Sequence, residues 1–124
     1  MKAEIEIRVT SEDIDDIMSG SLDGSATCSW CDSVRTNGEY LGEYASEQIS
    51  RGGGLWFHDR EDDVEYLLDC NKLLSGIEKW IEEPVGHNCL EFDNGRWKFD
   101  CCNADEIVCD AIIQYALFGE IVYG

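Results

Sequence analysis

The sequence predicts an α+β fold: one domain over residues 1–124, with a mainly antiparallel sheet and about four helices. Three observations carry this. Stretches of period-two and helical-period hydrophobicity intermix without a βαβ rhythm or a long crossover helix. Two pairs of short apolar runs flank turn signals, as β-hairpins do. Hydrophobic residues make up 44% of 124 residues, with four Trp, five Tyr and four Phe, which is enough for one real core and too apolar for an acidic disordered tail.

Element by element, Ile5, Ile7 and Val9 alternate with polar neighbours as in a half-buried strand. Thr10 or Ser11 offers an N-cap oxygen, Glu12 and Asp13 fall in the first turn, and Ile14, Ile17, Met18 and Leu22 follow at helical spacing towards a stop at Gly24. A strand is expected over residues 28–35, ended by the Asn37-Gly38 turn. Tyr40, Leu41, Tyr44, Ala45, Gln48 and Ile49 trace one face of a second helix, stopped by Gly52-Gly53-Gly54. Residues 55–58 and 64–68 read as a hairpin around Arg60-Glu61-Asp62-Asp63. Asp69 caps a third helix carrying Leu73, Leu74, Ile77 and Ile81, and Pro84, the single proline, ends it. Residues 89–92 and 96–99 form a second hairpin, because Asn94-Gly95 tolerates positive φ. Asn103 begins a fourth helix with Glu106 at the capping-box position and Ile107, Ala111, Ile112, Tyr115 and Phe118 as its buried stripe. Gly119 fits the C′ position, and residues 120–123 suit a strand at a sheet edge.

Charge narrows the function classes. There are 27 Asp and Glu against 9 Lys and Arg, a formal charge of −18. So acidic a surface repels nucleic acid and anionic membrane and attracts basic partners. No run approaches the roughly 20 apolar residues of a membrane span, and the amino terminus lacks the apolar region of a signal peptide. The expectation is a soluble cytoplasmic protein. Its seven cysteines, an odd number, are then reduced thiols, most of them small buried hydrophobes.

Two runs are distinctive: Tyr40-Leu41-Gly42-Glu43-Tyr44-Ala45-Ser46-Glu47-Gln48-Ile49-Ser50-Arg51-Gly52-Gly53 and Ile112-Ile113-Gln114-Tyr115-Ala116-Leu117-Phe118-Gly119-Glu120-Ile121-Val122-Tyr123-Gly124. With Glu12-Asp13-Ile14-Asp15-Asp16-Ile17, they resemble a family of small acidic hypothetical proteins from prophages and mobile elements of Gram-positive gut bacteria. The likeness spans nearly the whole chain and departs in residues 86–102, which are richer in Cys and aromatic residues. It implies an accessory protein of a phage or mobile element in a bacterial cytoplasm, and carries over no functional residue.

The candidate sites follow. Glu39, Glu43 and Glu47 recur every four residues, so on a helix they stack along one face with steps of about 6 Å. Like charges so spaced cost roughly 0.2–0.5 kcal/mol per pair, which a helix built for stability avoids. A face that imitates phosphates explains the pattern, as does a solvated face relieved in part by Arg51. Cys28-Ser29-Trp30-Cys31 has the spacing of two zinc ligands or a redox pair. It lacks a matching second pair: Cys101 and Cys102 are adjacent, and Cys89, Cys109, His58 and His87 are irregularly spaced additions. His58-Asp59 at a strand end offers an imidazole–carboxylate pair for a small hydrolase or nucleotide-handling enzyme, although no nucleophile elbow or P-loop lysine accompanies it.

The leading expectation is a non-enzymatic acidic binding protein. It engages a basic partner, such as a host nucleic-acid-binding protein or a CRISPR nuclease, through Glu39, Glu43 and Glu47, and needs no cofactor. The alternatives are a small zinc-binding protein using Cys28 and Cys31, or an enzyme built on His58 and Asp59.

Overall fold

In the computed structural model, which describes residues 6–100 and 105–124, the strands divide into two three-stranded sheets. The first contains β1 (Ile7–Arg8), β5 (Leu90–Asp93) and β6 (Arg96–Phe99) in the order β1-β6-β5. Here β1 runs parallel to β6, and β5 pairs antiparallel with β6 across a turn where Asn94 and Gly95 take φ of 52° and 75°. The second contains β2 (Cys31–Asn37), β3 (Gly54–Asp59) and β4 (Val64–Leu68), all antiparallel. Four helices accompany them among the described residues: α1 (Ser11–Leu22), α2 (Ser25–Cys28), α3 (Cys70–Glu82) and α4 (Glu106–Phe118). The fold is therefore α+β and mostly antiparallel, as the sequence predicts.

Local chemistry explains most boundaries. Thr10 and Asp13 form a reciprocal capping box at α1, with bonds of 3.1 and 2.8 Å. Asp69 caps α3 by accepting from the Lys72 amide at 2.9 Å. Gly119 ends α4 in the left-handed conformation, φ 77°. Ile7 and Val9 pack against the core as expected, while Ile5 lies outside the described residues.

Several boundaries differ. Gly24 is not a left-handed stop: with φ −89° it is the N-cap of α2, and that extra turn delays β2 to Cys31. Asn103 lies outside the described residues, and the cap of α4 is Asp105, which accepts from the Val108 amide at 2.9 Å. Ile107 is 68% exposed rather than part of a buried stripe. No strand forms over residues 120–123.

The reason for that last difference is the burial of α4. Cys109, Asp110, Ala111, Ile112, Ile113 and Gln114 are consecutive and all buried, so this helix is enclosed on most sides rather than along one stripe. It packs on α3, α1, α2 and β4. Gly76 permits the closest approach, since a Cβ there would sit 2.5 Å from the Ile112 carbonyl oxygen. Enclosure forces Asp110 and Gln114, the two buried polar residues of α4, to find internal partners. Asp110 accepts from the Thr27 hydroxyl, the Trp30 indole and the Gln114 amide, each at 2.8 Å. Gln114 Oε1 accepts from the backbone amides of Val122 and Tyr123 at 2.9 Å, and Gln114 Nε2 donates to the Tyr123 carbonyl at 3.0 Å. A side-chain amide thus supplies the partners that a neighbouring strand would have given the carboxy-terminal segment. The Tyr123 ring stacks on Trp30, centroids 5.7 Å apart and planes 9° from parallel, and its hydroxyl donates to the buried Asp59 at 2.7 Å.

Gln114→Ala removes the amide that Asp110 accepts from and the anchors of the tail. The expected loss is about 2–4 kcal/mol in a denaturant titration, since buried groups lose their partners. The Val122 and Tyr123 amides should exchange faster with deuterium. A loss under about 0.5 kcal/mol, the range of an inconsequential surface change, would contradict this role.

Candidate functional site

The loop joining β2 to β3 closes where Asn37 pairs with Gly54, so residues 38–53 leave and return to the same end of the hairpin. Its inner side is fixed by Gln48 and Ile49, which are 1% and 0% exposed. Gln48 Oε1 accepts from the Leu41 amide at 2.9 Å, and Gln48 Nε2 donates to the Glu39 carbonyl at 3.1 Å. Ser50 donates to Asp15 at 2.5 Å, tying the loop to α1. A buried amide therefore organises the outer arm of the loop, as in compact loops that carry function on a rigid scaffold.

The predicted helix over this segment does not form. Only Ala45–Glu47 makes a 3-10 turn. The Leu41 amide is bonded to a side chain instead of a helical carbonyl, and the chain folds back so closely that a Cβ on Gly42 would lie 2.8 Å from Arg51 Nε and 2.9 Å from the Glu47 carboxylate. Tyr40, Leu41 and Tyr44, whose spacing resembles a buried helical face, are instead 57%, 49% and 63% exposed. Glu39, Glu43 and Glu47 consequently do not form a helical stripe. Glu47 is half-buried and ion-paired with Arg51 at 2.8 Å. Glu39 and Glu43 are exposed and have no cationic partner among the described residues. The outer arm thus presents two unneutralised carboxylates interleaved with two tyrosines and a leucine.

His58 and Asp59 are not a working pair. Adjacent strand residues point to opposite faces. Asp59 faces inward, accepting from the Tyr123 hydroxyl at 2.7 Å and from the Glu61 and Asp62 amides at 2.9 and 3.4 Å. That contact holds the Tyr123 hydroxyl well above the usual tyrosine range. His58 faces outward between two other carboxylates: Nδ1 lies 2.5 Å from Asp32, and Nε2 lies 2.7 Å from Asp63. The bonds to Asp32 and then Asp63 raise the imidazole above its ordinary value, and the His58 bond lowers Asp32. An imidazolium held at both nitrogens has no free lone pair with which to act as a base. The open depression beside it, about 420 Å³, is lined by Asp32, Ser33, Arg35, His58 and Glu65, and Arg35 and Glu65 are paired with each other at 2.7 Å. Ser33 has no catalytic base there.

The Cys28–Cys31 pair straddles two elements. Cys28 ends α2 and is exposed, whereas Cys31 opens β2 and is 6% exposed. Burial pushes the Cys31 thiol up to about 11, and it donates to the Ser33 carbonyl at 3.3 Å. Burial likewise pushes Cys109 to about 12. Such thiols stay protonated at neutral pH and behave as small apolar groups. Among the described residues, no group of three or more His, Cys, Asp or Glu is placed to hold a metal ion. Cys101 and Cys102 lie outside them, and His87 is exposed in the 3-10 turn after α3. No helix among the described residues is long and apolar enough to cross a membrane.

Two residues that organise these features carry no distinct signal in the sequence: Gln48 falls at helical spacing with its neighbours, and Asp32 lies within the strand expected over residues 28–35. The alternation of strand faces is the one signal that separates His58 from Asp59 in advance.

The Asp32–His58–Asp63 bridge makes a pH prediction. Pairing of His58 stabilises the fold fully below the ordinary histidine value of about 6.5 and fades as pH rises through its higher folded value. Asp32 contributes above the ordinary carboxylate range and fades as pH falls through its lowered folded value. The bridge is whole between those limits. An NMR titration should place the His58 midpoint above about 6.5, with Asp32→Asn bringing it down further than Asp63→Asn. A midpoint at or below the ordinary value, with both carboxylates in place, would contradict the geometry.

Compared with known proteins, the chain matches no protein-family model, no curated protein and no solved structure.

Proposed function

We propose that this protein is a non-enzymatic acidic binding protein that docks a basic protein partner on the outer arm of the β2–β3 loop. The observation that carries the reading is the exposure of Tyr40, Leu41 and Tyr44 beside the unneutralised Glu39 and Glu43. In the setting that the family resemblance implies, the bacterial cytoplasm during phage or mobile-element infection, the partner is a host nucleic-acid-binding or defence protein, and nucleic acid itself is not bound.

Magnitudes divide the work between charge and rings. An exposed ion pair contributes about 0–1 kcal/mol, so two glutamates cannot hold a partner alone. The charge of −18 instead accelerates encounter with a cationic surface and sets orientation. Once docked, the two tyrosines and Leu41 bury area, and aromatic anchors of this kind dominate interface energies. Glu47 contributes less than Glu39 and Glu43, because Arg51 already neutralises it.

The test measures displacement of labelled duplex DNA from a panel of basic bacterial DNA-binding proteins by fluorescence anisotropy. Addition of this protein should release the DNA from at least one member. The double change Glu39→Lys and Glu43→Lys should weaken release about tenfold, and added salt should weaken it further. Release that ignores both the double change and salt, or no release from any member, would overturn the reading.

A further inference from the structure

The β2–β3 loop recurs on itself chemically. Glu39-Tyr40 and Glu43-Tyr44 are two carboxylate–aromatic pairs separated by Leu41 and Gly42, and both rings are more than half exposed. Among the described residues, a carboxylate and an aromatic ring from two different strands together receive one of the protein's own side chains. Arg35 on β2 forks Glu65 on β4, donating from Nε at 2.7 Å and from Nη2 at 3.2 Å. Its guanidinium carbon also lies 5.3 Å from the centroid of the Trp56 ring on β3. One carboxylate and one aromatic face together hold a planar cation.

Arginine satisfies both halves of such a site and lysine only one. A guanidinium is planar, donates two parallel bonds to a carboxylate, sheds its hydration readily and stacks on a ring. An ammonium is compact, strongly hydrated and unable to fork a carboxylate. Simple charge attraction would not distinguish the two; an aromatic face beside the carboxylate does.

We infer that the loop selects arginine over lysine in its partner, each Glu-Tyr pair receiving one guanidinium that forks the carboxylate and stacks on the ring. This rests on the docking function proposed above and names the chemistry of the segment that occupies it: a chain presenting two or more arginines on one exposed, extended or loop segment. The occupant is a protein segment and not a small cation, since two sites within one loop arm reward a ligand that bridges both.

The experiment uses two synthetic probes, an Arg-Gly repeat peptide and a Lys-Gly repeat peptide of equal length and charge, titrated into the intact protein by calorimetry at physiological salt. The arginine peptide should bind about tenfold more tightly, the sum of two exposed cation–π contacts and the forked geometry. Tyr40→Leu with Tyr44→Leu keeps the loop apolar and exposed. It should erase the preference while leaving weak binding of both peptides. Glu39→Gln with Glu43→Gln should weaken both. Circular dichroism establishes that each variant is folded, which the exposure of all four side chains leads one to expect. Equal binding of the two peptides, or a preference that survives loss of both rings, would overturn the arginine assignment and leave the docking function standing. Failure of both peptides to bind would overturn the docking function together with the assignment.

Discussion

A shortage of cations shapes this protein. With 27 carboxylates and 9 Lys and Arg, its acids cannot all be satisfied by ion pairs, and several of the described ones are met by neutral donors. Asp110, at the centre of the fold, is held by a hydroxyl, an indole and an amide. Asp59 is held by the Tyr123 hydroxyl and two backbone amides. Asp69 and Asp105 cap helices, where the helix dipole favours their charge, and Asp13 completes a capping box. Glu106 of α4 accepts from Ser25 of α2, and Asp15 of α1 from Ser50. Even the cations are partly directed elsewhere: Arg60 donates to the carbonyls of Cys28 and Ser29 at the end of α2, and Lys72 to that of Leu67. A hydrogen bond to a charged group contributes about 1.5–3 kcal/mol, which opposes the mutual repulsion of the acids.

This logic separates carboxylates with a structural duty from those left over. Where an acid caps, anchors or bridges, the neighbouring structure explains it. On the outer arm of the β2–β3 loop it does not: Glu39 and Glu43 stand in solvent beside exposed rings, while the buried Gln48 amide fixes the backbone beneath them. The order of the loop is thus supplied from inside, and its outer surface is exposed. The proposed arginine preference draws on the same contrast, because Arg35, Glu65 and Trp56 show this fold holding a guanidinium between an acid and an aromatic ring.

The sequence was most legible where the determinants are local. The Thr10 cap, the Asp69 cap, the Asn94-Gly95 hairpin and the Gly119 stop each act within a few residues, and each is found where its chemistry places it. Legibility failed where distant residues decide. Nothing near Asp110 announces that it is held by Thr27 and Trp30, 83 and 80 residues away in sequence. The segment 40–49 misled for a different reason. Apolar residues at helical spacing imply a helix only if they share a buried face, and in this loop Tyr40, Leu41 and Tyr44 are displayed while Ile49 is buried. His58 and Asp59 misled because adjacency in sequence is opposition in a strand. The acidity was visible from composition alone, whereas the exposure of Glu39 and Glu43 on a loop rather than a helix was not.

The central claim is that basic partners are received on residues 39–44. It is tested most directly by mapping amide chemical shifts of the intact protein during titration with an arginine-rich peptide at physiological salt. The account predicts that the largest and earliest changes fall on Glu39 through Tyr44, with those at the acidic turn of Glu61, Asp62 and Asp63 smaller and abolished by added salt. Changes spread evenly over the acidic surface, or centred on that turn, would contradict it.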